Sequence, residues 1–501
     1  MTRPKTDGSE LSQLATLVSG TCLGDAKVFG VTHNSKSALA GDLYVALLGA
    51  NNHGIDFLDE AVANGAIAVA SDSHGVAIAK QKGIPTIELS NAREDMAKLA
   101  AEVYGHPERK LTLAGVTGTN GKTTTTHILR SIFLDAKKHV GVIGTLGTYL
   151  DEEHLPGART TPESTDLYAT LAVMAERGIT HVFMEVSSHA LALNRVSGIK
   201  FDVAIFTNLT QDHLDFHGSM ENYFAAKALL FTPEFSKQAI ICTDDEWGTK
   251  LAGQVKIPVI TIGTKGYWKT SQPNSSSNGV TTQLIEIQNS DSISLSVNML
   301  GSYNATNAAC ALAASQILGL PIAASLESLK NVRSIPGRLE KVDIDSPGTT
   351  IVDYAHTPDA LAKALQALRG LADARGGRLW CLFGCGGDRD RAKRPLMGAM
   401  AEQHADQVLL TSDNPRSESP QAIIAQIAAG VSQPSRLLVE PDRARAIAQA
   451  LGAAGAHDVV LIAGKGHELY QEVGGQRLAF SDVQQVLLAR PRQTAPVQGQ
   501  A

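Results

Sequence analysis

The stretch that decides the fold is "LTLAGVTGTNGKTTTTHIL", Leu111 to Leu129. An apolar run leads into two glycines, Gly118 and Gly121, which bracket a tight segment ending in Gly-Lys-Thr. Strand, glycine-rich turn and helix in that order are the context a phosphate loop requires. Backbone N–H groups at the helix start surround a phosphate, the Lys122 ammonium reaches the β/γ oxygens, and the Thr123 hydroxyl completes the coordination of a Mg2+. The general pattern has a glycine five places before Gly121, where this chain has Val116. The expected ligand is ATP or GTP.

Outward from this loop, short β-rich runs alternate with helical patterns. "KHVGVIG", "THVFMEV", "FDVAIFTN", "QAIICT" and "IPVITIG" read as strands, and residues 123–134 and 164–177 as helices between them. This is the rhythm of a mostly parallel sheet covered on both faces. The polar run "SQPNSSSNGVTTQ" (271–283) reads as a surface loop. A helix over 305–318 follows, then "SIPGRLEKV" (334–342), whose Pro-Gly reads as a hinge. Beyond it "TTIVDYA", "GRLWCLFG", "ADQVLLTSDN" and "HDVVLIAGKG" form a second series, each strand ending in the Gly/Asp/Asn-rich turn where open α/β sheets place ligands. The first ~110 residues read as a smaller α/β unit, with "GDLYVALLG" as its clearest strand, and the tails before Glu10 and after Arg492 read as loose. The expectation is an α/β protein of three domains, 1–109, 110–336 and 337–501: a central doubly wound sheet with the phosphate loop, and a C-terminal Rossmann-like domain.

Bulk properties agree. At 501 residues the chain exceeds one core and suits about three domains of roughly 150 residues. A net charge of −6 argues against nucleic acid or an anionic membrane as partner, while leaving room for an anionic small substrate held locally. Five cysteines, odd in number and mostly far apart, suit a reducing cytosol. The start "MTRPKTDGSE" lacks the apolar core of a signal peptide, and the Ala-rich stretch 305–325 is broken by Gly319 and Pro321. A cytoplasmic protein, with no membrane partner, is expected.

"VFMEVSSHAL" places Glu185 just past an apolar run, "IFTNLTQDHLDFHG" does the same for Asp212, His213 and Asp215, and "YFAAKALLF" puts Lys227 in an apolar helix. An acid, an imidazole and a buried lysine beside a nucleotide loop read as a metal site. Each has a plainer reading taken singly: a capping acid, a loop histidine, a snorkelling lysine. A kinase or NTPase switch fits the loop alone. "GCGGDRD" raises a nicotinamide dehydrogenase, but Gly384, Gly386 and Gly387 do not make G-x-G-x-x-G.

"GTNGKTT", "EVSSHAL", "TNLTQDHLDFHG", "YFAAK", "GSYNATNAACALAA", "PGRLE", "DYAHTPDAL", "GCGGDRDRAKRP", "SDNPR" and "AGKGHE" together, and in that order, resemble the Mur ligases over nearly the whole chain. That family's loop lacks the first glycine, so Val116 conforms to it. The nearest resemblance is to members that add the third peptide residue. It implies ATP-dependent ligation of meso-2,6-diaminopimelate to UDP-N-acetylmuramoyl-L-alanyl-D-glutamate through an acyl phosphate, with lysine-adding and folylpolyglutamate-type ligases as alternatives. Two anions must meet, so Mg2+ and Lys122 neutralise developing charge, and closure about the "PGRLE" hinge keeps water from the acyl phosphate.

Carried over by motif, the resemblance implies ATP contacts at Gly118, Thr119, Asn120, Gly121, Lys122, Thr123, Thr124, Asn304, Arg338 and Asp353, with Asn307 on the same adenosine-contacting helix. The nucleotide-sugar substrate would meet His33, Ser35, Ala50, Asn51, Asn52, Thr160, Thr161, Ser187, Leu193 and Arg195. Asn34 and Lys36 replace the common Asp and Arg beside Ser35, Leu193 replaces a frequent glutamine, and Arg159 a usual asparagine. Diaminopimelate would meet Arg389, Asp413, Asn414, Pro415, Arg416, Gly464 and Glu468. Catalysis would fall to Lys122, Glu185, His213 and Lys227, with Thr123, Glu185, His213 and Lys227 around the metal. Lys227 is expected as an N-carboxylysine: CO2 turns an ammonium repelled by Mg2+ into an anion, and desolvation favours the neutral amine that CO2 needs. A monomer working on small molecules, without nucleic acid, is expected.

Overall fold

Short apolar runs ending in glycine- or asparagine-rich turns build two units whose main sheets are largely parallel. In the computed structural model, the residues described are 3–49, 51–157, 159–276, 279–286, 292–332, 334–342, 348–433, 435 and 437–489. The first unit comprises Met1–Leu209, Glu221–Ile262 and Cys310–Ser325, and the second Thr210–Met220, Gly263–Ala309 and Leu326–Ala501.

Among its described residues the first unit holds a five-stranded sheet of β1 (Thr21–Leu23), β2 (Gly30–Thr32), β3 (Asp42–Ala46), β4 (Ala66–Ser71) and β5 (Thr86–Glu88) in the order β1-β5-β4-β3-β2. Only the β1–β5 pair is antiparallel. Helix α1 (Ala92–Val103) follows it.

The larger sheet of this unit contains β6 (Thr112–Thr117), β7 (Val140–Gly144), β8 (Gly147–Leu150), β9 (Glu153–Leu155), β10 (His181–Glu185), β11 (Val203–Phe206), β12 (Ala239–Cys242) and β13 (Val259–Gly263), ordered β9-β8-β7-β10-β6-β11-β12-β13. From β7 to β13 the pairing is parallel, and β8 and β9 add an antiparallel edge. β11 is buried throughout and β10 nearly so, as strands covered on both faces must be. After β6 the chain runs through α2 (Lys122–Asp135) to one side and returns by β11 on the other. The carboxyl end of β6 is therefore a topological switch point, where open α/β sheets leave a crevice. Helices α3 (Ser164–Glu176), α4 (Ser188–Ala192) and α5 (Met220–Ala228) belong to the connections.

The second unit includes an antiparallel set, β14 (Trp268–Thr270), β15 (Gly279–Glu286) and β16 (Ser292–Val297). Of the loop expected over 271–283, residues 274–276 and 279–283 are strand instead, and 277–278 lie outside the described residues. Val280, Thr281 and Thr282 pair with Ser296 and its neighbours, so cross-strand pairing overrides a polar composition. Helix α6 is Tyr303–Ile317.

The rest of this unit is a six-stranded sheet among the described residues. β17 (Glu340–Val342), β18 (Thr349–Asp353), β19 (Leu379–Phe383), β20 (Gln407–Leu410), β21 (Leu437–Val439) and β22 (Val459–Ala463) lie in the order β17-β18-β22-β19-β20-β21, parallel except for β17. Helices α7 (Pro358–Arg375) and α8 (Lys393–His404) pack on one face through Leu361, Leu365, Leu368 and Met397. Helix α9 (Arg443–Ala453) covers the other through Ala446 and Ile447, with α10 (Asp482–Leu488) beside it through Val486. A hairpin, β23 (Tyr470–Val473) and β24 (Gln476–Ala479), separates β22 from α10.

The N-terminal tail also departs from expectation. Arg3 pairs with the buried Asp42, and Lys5 N donates to Glu176 at 2.6 Å. The tail after Arg492, and Ala50, lie outside the described residues.

Candidate active site

Glycine is required at the start of the loop. Gly118 has φ +147°, and a Cβ there would lie 2.0 Å from Thr207 Oγ1. Gly121, at φ +87°, turns the chain into α2 and caps it. Residues at the end of β11 clamp the loop: Thr119 N donates to Asn208 O at 2.9 Å and Asn120 N to Asn208 Oδ1 at 3.0 Å. Thr207 Oγ1 donates to Asn120 O at 2.6 Å, and Asn208 Nδ2 to the same carbonyl at 3.1 Å. The Lys122 ammonium lies across the loop, donating to Gly118 O (2.9 Å) and Thr119 O (2.8 Å). Thr123 and Thr124 are buried in the first turn of α2, whose N–H groups carry the helix's positive end.

Lys227 of α5 is 2% exposed. Its Nζ donates to Gly118 O at 2.8 Å and stands 4.6 Å from the centroid of the Tyr223 ring. The buried Glu185, at the end of β10, accepts from Thr145 N (2.8 Å) and Thr145 Oγ1 (3.0 Å). Thr160 Oγ1 is 3.1 Å from Thr145 Oγ1. Thr161 Oγ1 donates to Glu185 O at 2.9 Å and lies 3.3 Å from Ser187 Oγ. Thr123, Glu185 and Lys227 thus belong to one unit, whereas His213 belongs to the other, on a half-exposed left-handed turn at φ +53° and 3.3 Å from Asp212.

Arg195 continues the hydroxyl row. Its NH1 donates to Thr161 O (3.3 Å) and its NH2 pairs with Glu163 (2.8 Å). Arg159 and Arg93 pair with the same carboxylate. Burial alone would raise the Glu163 carboxyl, but Arg195, His33, Arg159 and Arg93 hold it below the usual range. Nearby, His33 Nδ1 is 2.9 Å from Thr165 Oγ1, and burial keeps the imidazole below its ordinary pKa. Burial raises the neighbouring Asp166 carboxyl. Leu193, which closes α4, is half-buried. Ser35 donates to Glu60 at 2.5 Å, and Asn51 and Asn52 lie in the turn in which Asn52 O accepts from Gly49 N at 3.0 Å.

In the second unit Asp353, ending β18, accepts from Leu339 N (2.7 Å) and Ala355 N (2.8 Å), and burial raises its pKa against the pull of Arg338. The Arg338 guanidinium lies 5.0 Å from the Tyr354 ring centroid. Asn304 Nδ2 donates to Leu300 O at 2.7 Å, and Asn307 Nδ2 to Asn304 Oδ1 at 2.9 Å.

The loops after β19, β20 and β22 collect the remaining residues. A Cβ at Gly387 would fall 1.9 Å from Pro415 O, so the first two loops touch through backbone. Asn414 Nδ2 donates to Glu468 Oε2 at 2.8 Å, and Asp413 lies 3.8 Å from Lys465 Nζ. Arg416, at φ +53°, donates from NH1 to Gly387 O (2.7 Å) and pairs with Glu472 (3.3 Å). Arg389 is exposed on the Gly386–Asp390 turn.

Sequence reasoning missed Thr145, Glu163, Asn208 and Lys465 as site-building residues. The signals were weak: Asn208 and Lys465 sit inside quoted motifs as residues of no stated role, and Glu163 follows the Thr160–Thr161 pair by two positions.

Among the described residues no group of three or more His, Cys, Asp or Glu side chains is placed to hold a metal ion, and no helix is long and apolar enough to cross a membrane.

Residues 116–315 match the Mur ligase middle domain, residues 337–466 the Mur ligase glutamate ligase domain, and residues 27–104 the Mur ligase family catalytic domain. The chain is 43% identical over 467 residues to the UDP-N-acetylmuramoyl-L-alanyl-D-glutamate–2,6-diaminopimelate ligase of Streptomyces avermitilis, covering 91% of each. It is 42% identical over 472 residues to a protein of the same name from Gloeobacter violaceus, covering 92% of this chain and 94% of that one. A solved structure of a UDP-N-acetylmuramoyl-L-alanyl-D-glutamate–2,6-diaminopimelate ligase matches with a TM-score of 0.63 at 33% identity, over 92% of this chain and 94% of that one.

Proposed function

This chain belongs to the Mur ligase family, and from that premise we infer an ATP-dependent ligase that joins meso-2,6-diaminopimelate to the D-glutamyl γ-carboxylate of UDP-N-acetylmuramoyl-L-alanyl-D-glutamate. The product is the nucleotide-linked tripeptide of peptidoglycan synthesis. The observation that carries the reading is the clamped glycine loop, with Lys122 across it and Glu185 in the same unit. The relatives' shared name supplies the substrates.

In the chemistry, a γ-carboxylate oxygen bonds to the γ-phosphorus of ATP, the bond to the β–γ bridging oxygen breaks, and ADP leaves. The amine of the amino acid then attacks the acyl carbon, phosphate leaves, and the nitrogen loses a proton. Lys122 and the N–H groups of the loop hold the phosphates and offset charge on the bridging oxygen. The Thr160–Thr161–Ser187–Arg195 row holds the acidic end of the dipeptide, with His33, Ser35, Asn51 and Asn52 toward the nucleotide sugar. Asn304, Arg338 and Asp353 serve the adenosine. Asp413, Asn414, Arg416, Gly464 and Glu468, with Arg389, receive the amino acid. The segment 1–109 would chiefly hold the UDP part, 110–336 the ATP phosphates, and 337–501 the amino acid.

The buried hydroxyl of Thr123 and the fixed carboxylate of Glu185 are hard oxygen donors of the kind Mg2+ takes when phosphates supply its other ligands. We propose that Mg2+ would be held there, with a carbamylated Lys227 of the same unit contributing; when bound, it would neutralise the two anions that must meet. We propose that it works in the cytoplasm, where its substrates would be supplied, and as a monomer.

The test is turnover with meso-diaminopimelate, L-lysine and L-ornithine, following ADP and phosphate release. Release that requires both the UDP-linked dipeptide and diaminopimelate is expected. Full-rate hydrolysis without either substrate, or a preference for lysine, refutes the reading.

A further inference from the structure

Lys465 is fully buried, sits between two loops of the second unit, and has no part in the reaction described above. A lysine is almost never fully buried unless it is paired. Its Nζ donates to Asn414 Oδ1 at 3.0 Å and to Glu468 Oε2 at 2.8 Å, and lies 3.8 Å from Asp413 Oδ1. The Tyr470 ring, its centroid 5.6 Å from Nζ, flanks the ammonium.

These contacts determine orientation. Asn414 Oδ1 accepts from both Lys465 Nζ and Glu472 N (2.9 Å), so its Nδ2 is turned toward Glu468. Both donors, Nδ2 and Nζ, arrive at the same glutamate oxygen, Oε2. No hydrogen bond to Glu468 Oε1 is found among the described residues, so this oxygen is presented. The backbone beneath is fixed separately. Arg443 donates to Ser412 O (3.2 Å) and Ala463 O (2.9 Å), the residues just before Asp413 and Gly464, while its charge is met by Asp482 at 2.7 and 2.8 Å. Arg443 and Asp482 therefore cancel. Asp413, Glu468 and Lys465 leave one negative charge, enough for one ammonium.

We propose that Lys465 is a positioning residue for the incoming amino acid, fixing the Asn414 amide and the Glu468 carboxylate so that Glu468 Oε1 receives the ammonium of the amino acid's non-reacting end. The inference rests on the functional reading above. Without Lys465, Asp413 and Glu468 face each other uncompensated and Asn414 is free to turn, so the amino acid loses its receptor while the nucleotide sites are untouched.

The experiment is steady-state kinetics of Lys465→Met against all three substrates, with a thermal melt. The expected result is a KM for diaminopimelate raised about 10- to 100-fold, the scale on which supporting contacts act, with KM for ATP and for the UDP-linked dipeptide within about threefold of wild type. An unchanged KM for diaminopimelate, or all three rising together as the melt falls, overturns the inference. Lys465→Met strands the buried Asp413 and the partly buried Glu468, so the double variant Lys465→Met/Glu468→Gln is compared with Glu468→Gln alone. If Lys465 acts through Glu468, the two agree within about threefold; a further tenfold rise in the double variant overturns it. Wild-type enzyme that turns over diaminopimelate normally beside a kinetically silent Lys465→Met rejects this inference alone. Wild type with no diaminopimelate turnover rejects the functional reading and this inference with it.

Discussion

Replacing Gly118 with alanine tests how the loop stores its geometry. The backbone there has φ +147°, and the new Cβ would meet Thr207 Oγ1 at 2.0 Å, Asn208 O at 3.0 Å and Asn208 N at 3.1 Å. Three costs follow. An L-residue at this φ costs about 1–3 kcal/mol. Overpacking against a well-packed neighbour costs about 1–3 kcal/mol. Displacing the Thr207 hydroxyl from Asn120 O, now 2.6 Å away, forfeits a further 0.5–1.5 kcal/mol or so. The smallest sum is about 2.5 kcal/mol, equivalent to roughly 70-fold in an equilibrium constant.

That free energy must appear in one of two places. If the loop relaxes to admit the methyl, its N–H groups leave the phosphate position and the KM for ATP rises by roughly 70-fold or more. If the loop holds, the protein itself is destabilised and melts about 5 °C or more lower. Titrating ATP in an ADP-release assay, alongside a melt, reads both. Gly83→Ala is the control: it too has positive φ, +70°, but no atom lies within 4 Å of its Cβ position. It should lose about 1 kcal/mol of stability and leave ATP kinetics alone. A Gly118→Ala enzyme with wild-type KM for ATP and a wild-type melt would refute the reasoning.

Lys122→Ala should abolish ligation with the melt unchanged, because its ammonium donates to loop carbonyls at the proposed phosphate position rather than packing in the core; a folded, active variant would remove the phosphate-loop reading. Arg416→Ala should lower kcat/KM for diaminopimelate by about 30- to 1,000-fold, as loss of a charge-assisted carboxylate contact does, and unchanged diaminopimelate kinetics would reject that role. Lys227→Ala should be nearly inactive and partly rescued by acetate or formate, and labelled bicarbonate should give a carbamate carbon signal in wild type alone; no signal, with an active variant, would sink the carbamate. Glu163→Gln should change the pH dependence of stability. The depressed carboxyl contributes stability that is present above its unfolded pKa, about 4.3, and lost as pH falls through the lower folded value. The variant should melt lower than wild type at pH 7, and the gap should close below about pH 4; a gap constant down to pH 3 would contradict the arginine cluster.

What could be read from the sequence was local. Gly118, Gly121 and Lys122 lie within five residues, so spacing alone announces the loop. The parallel strands announce themselves as unbroken apolar runs because both faces are covered. What was hidden depends on contacts between distant residues. Asn208 clamps Asn120 across 88 positions, and Glu163 gathers guanidiniums from Arg93, Arg159 and Arg195, of which only Arg159 is a neighbour. Residues 274–276 and 279–283 misled because serine and asparagine usually mark loops, whereas partner strands decided the outcome. Arg3 misled because a terminal residue carries no mark of the buried Asp42 it meets.

Charge shows the same difference in scale. A net charge of −6 argues against polyanions as partners, yet it describes neither proposed ligand site. Around Glu163, one carboxylate faces three guanidiniums, a local excess of two positive charges suited to an acidic dipeptide. Around Lys465, one ammonium faces Asp413 and Glu468, a local excess of one negative charge suited to an ammonium. Charges exposed to solvent and farther apart than a Debye length, about 8 Å at physiological salt, are largely screened, whereas buried pairs are screened far less. On this reading each proposed site's preference is set by the few groups in direct contact, centred on the buried Glu163 and the buried Lys465, and substitutions at those groups should change specificity while distant surface charges leave it alone.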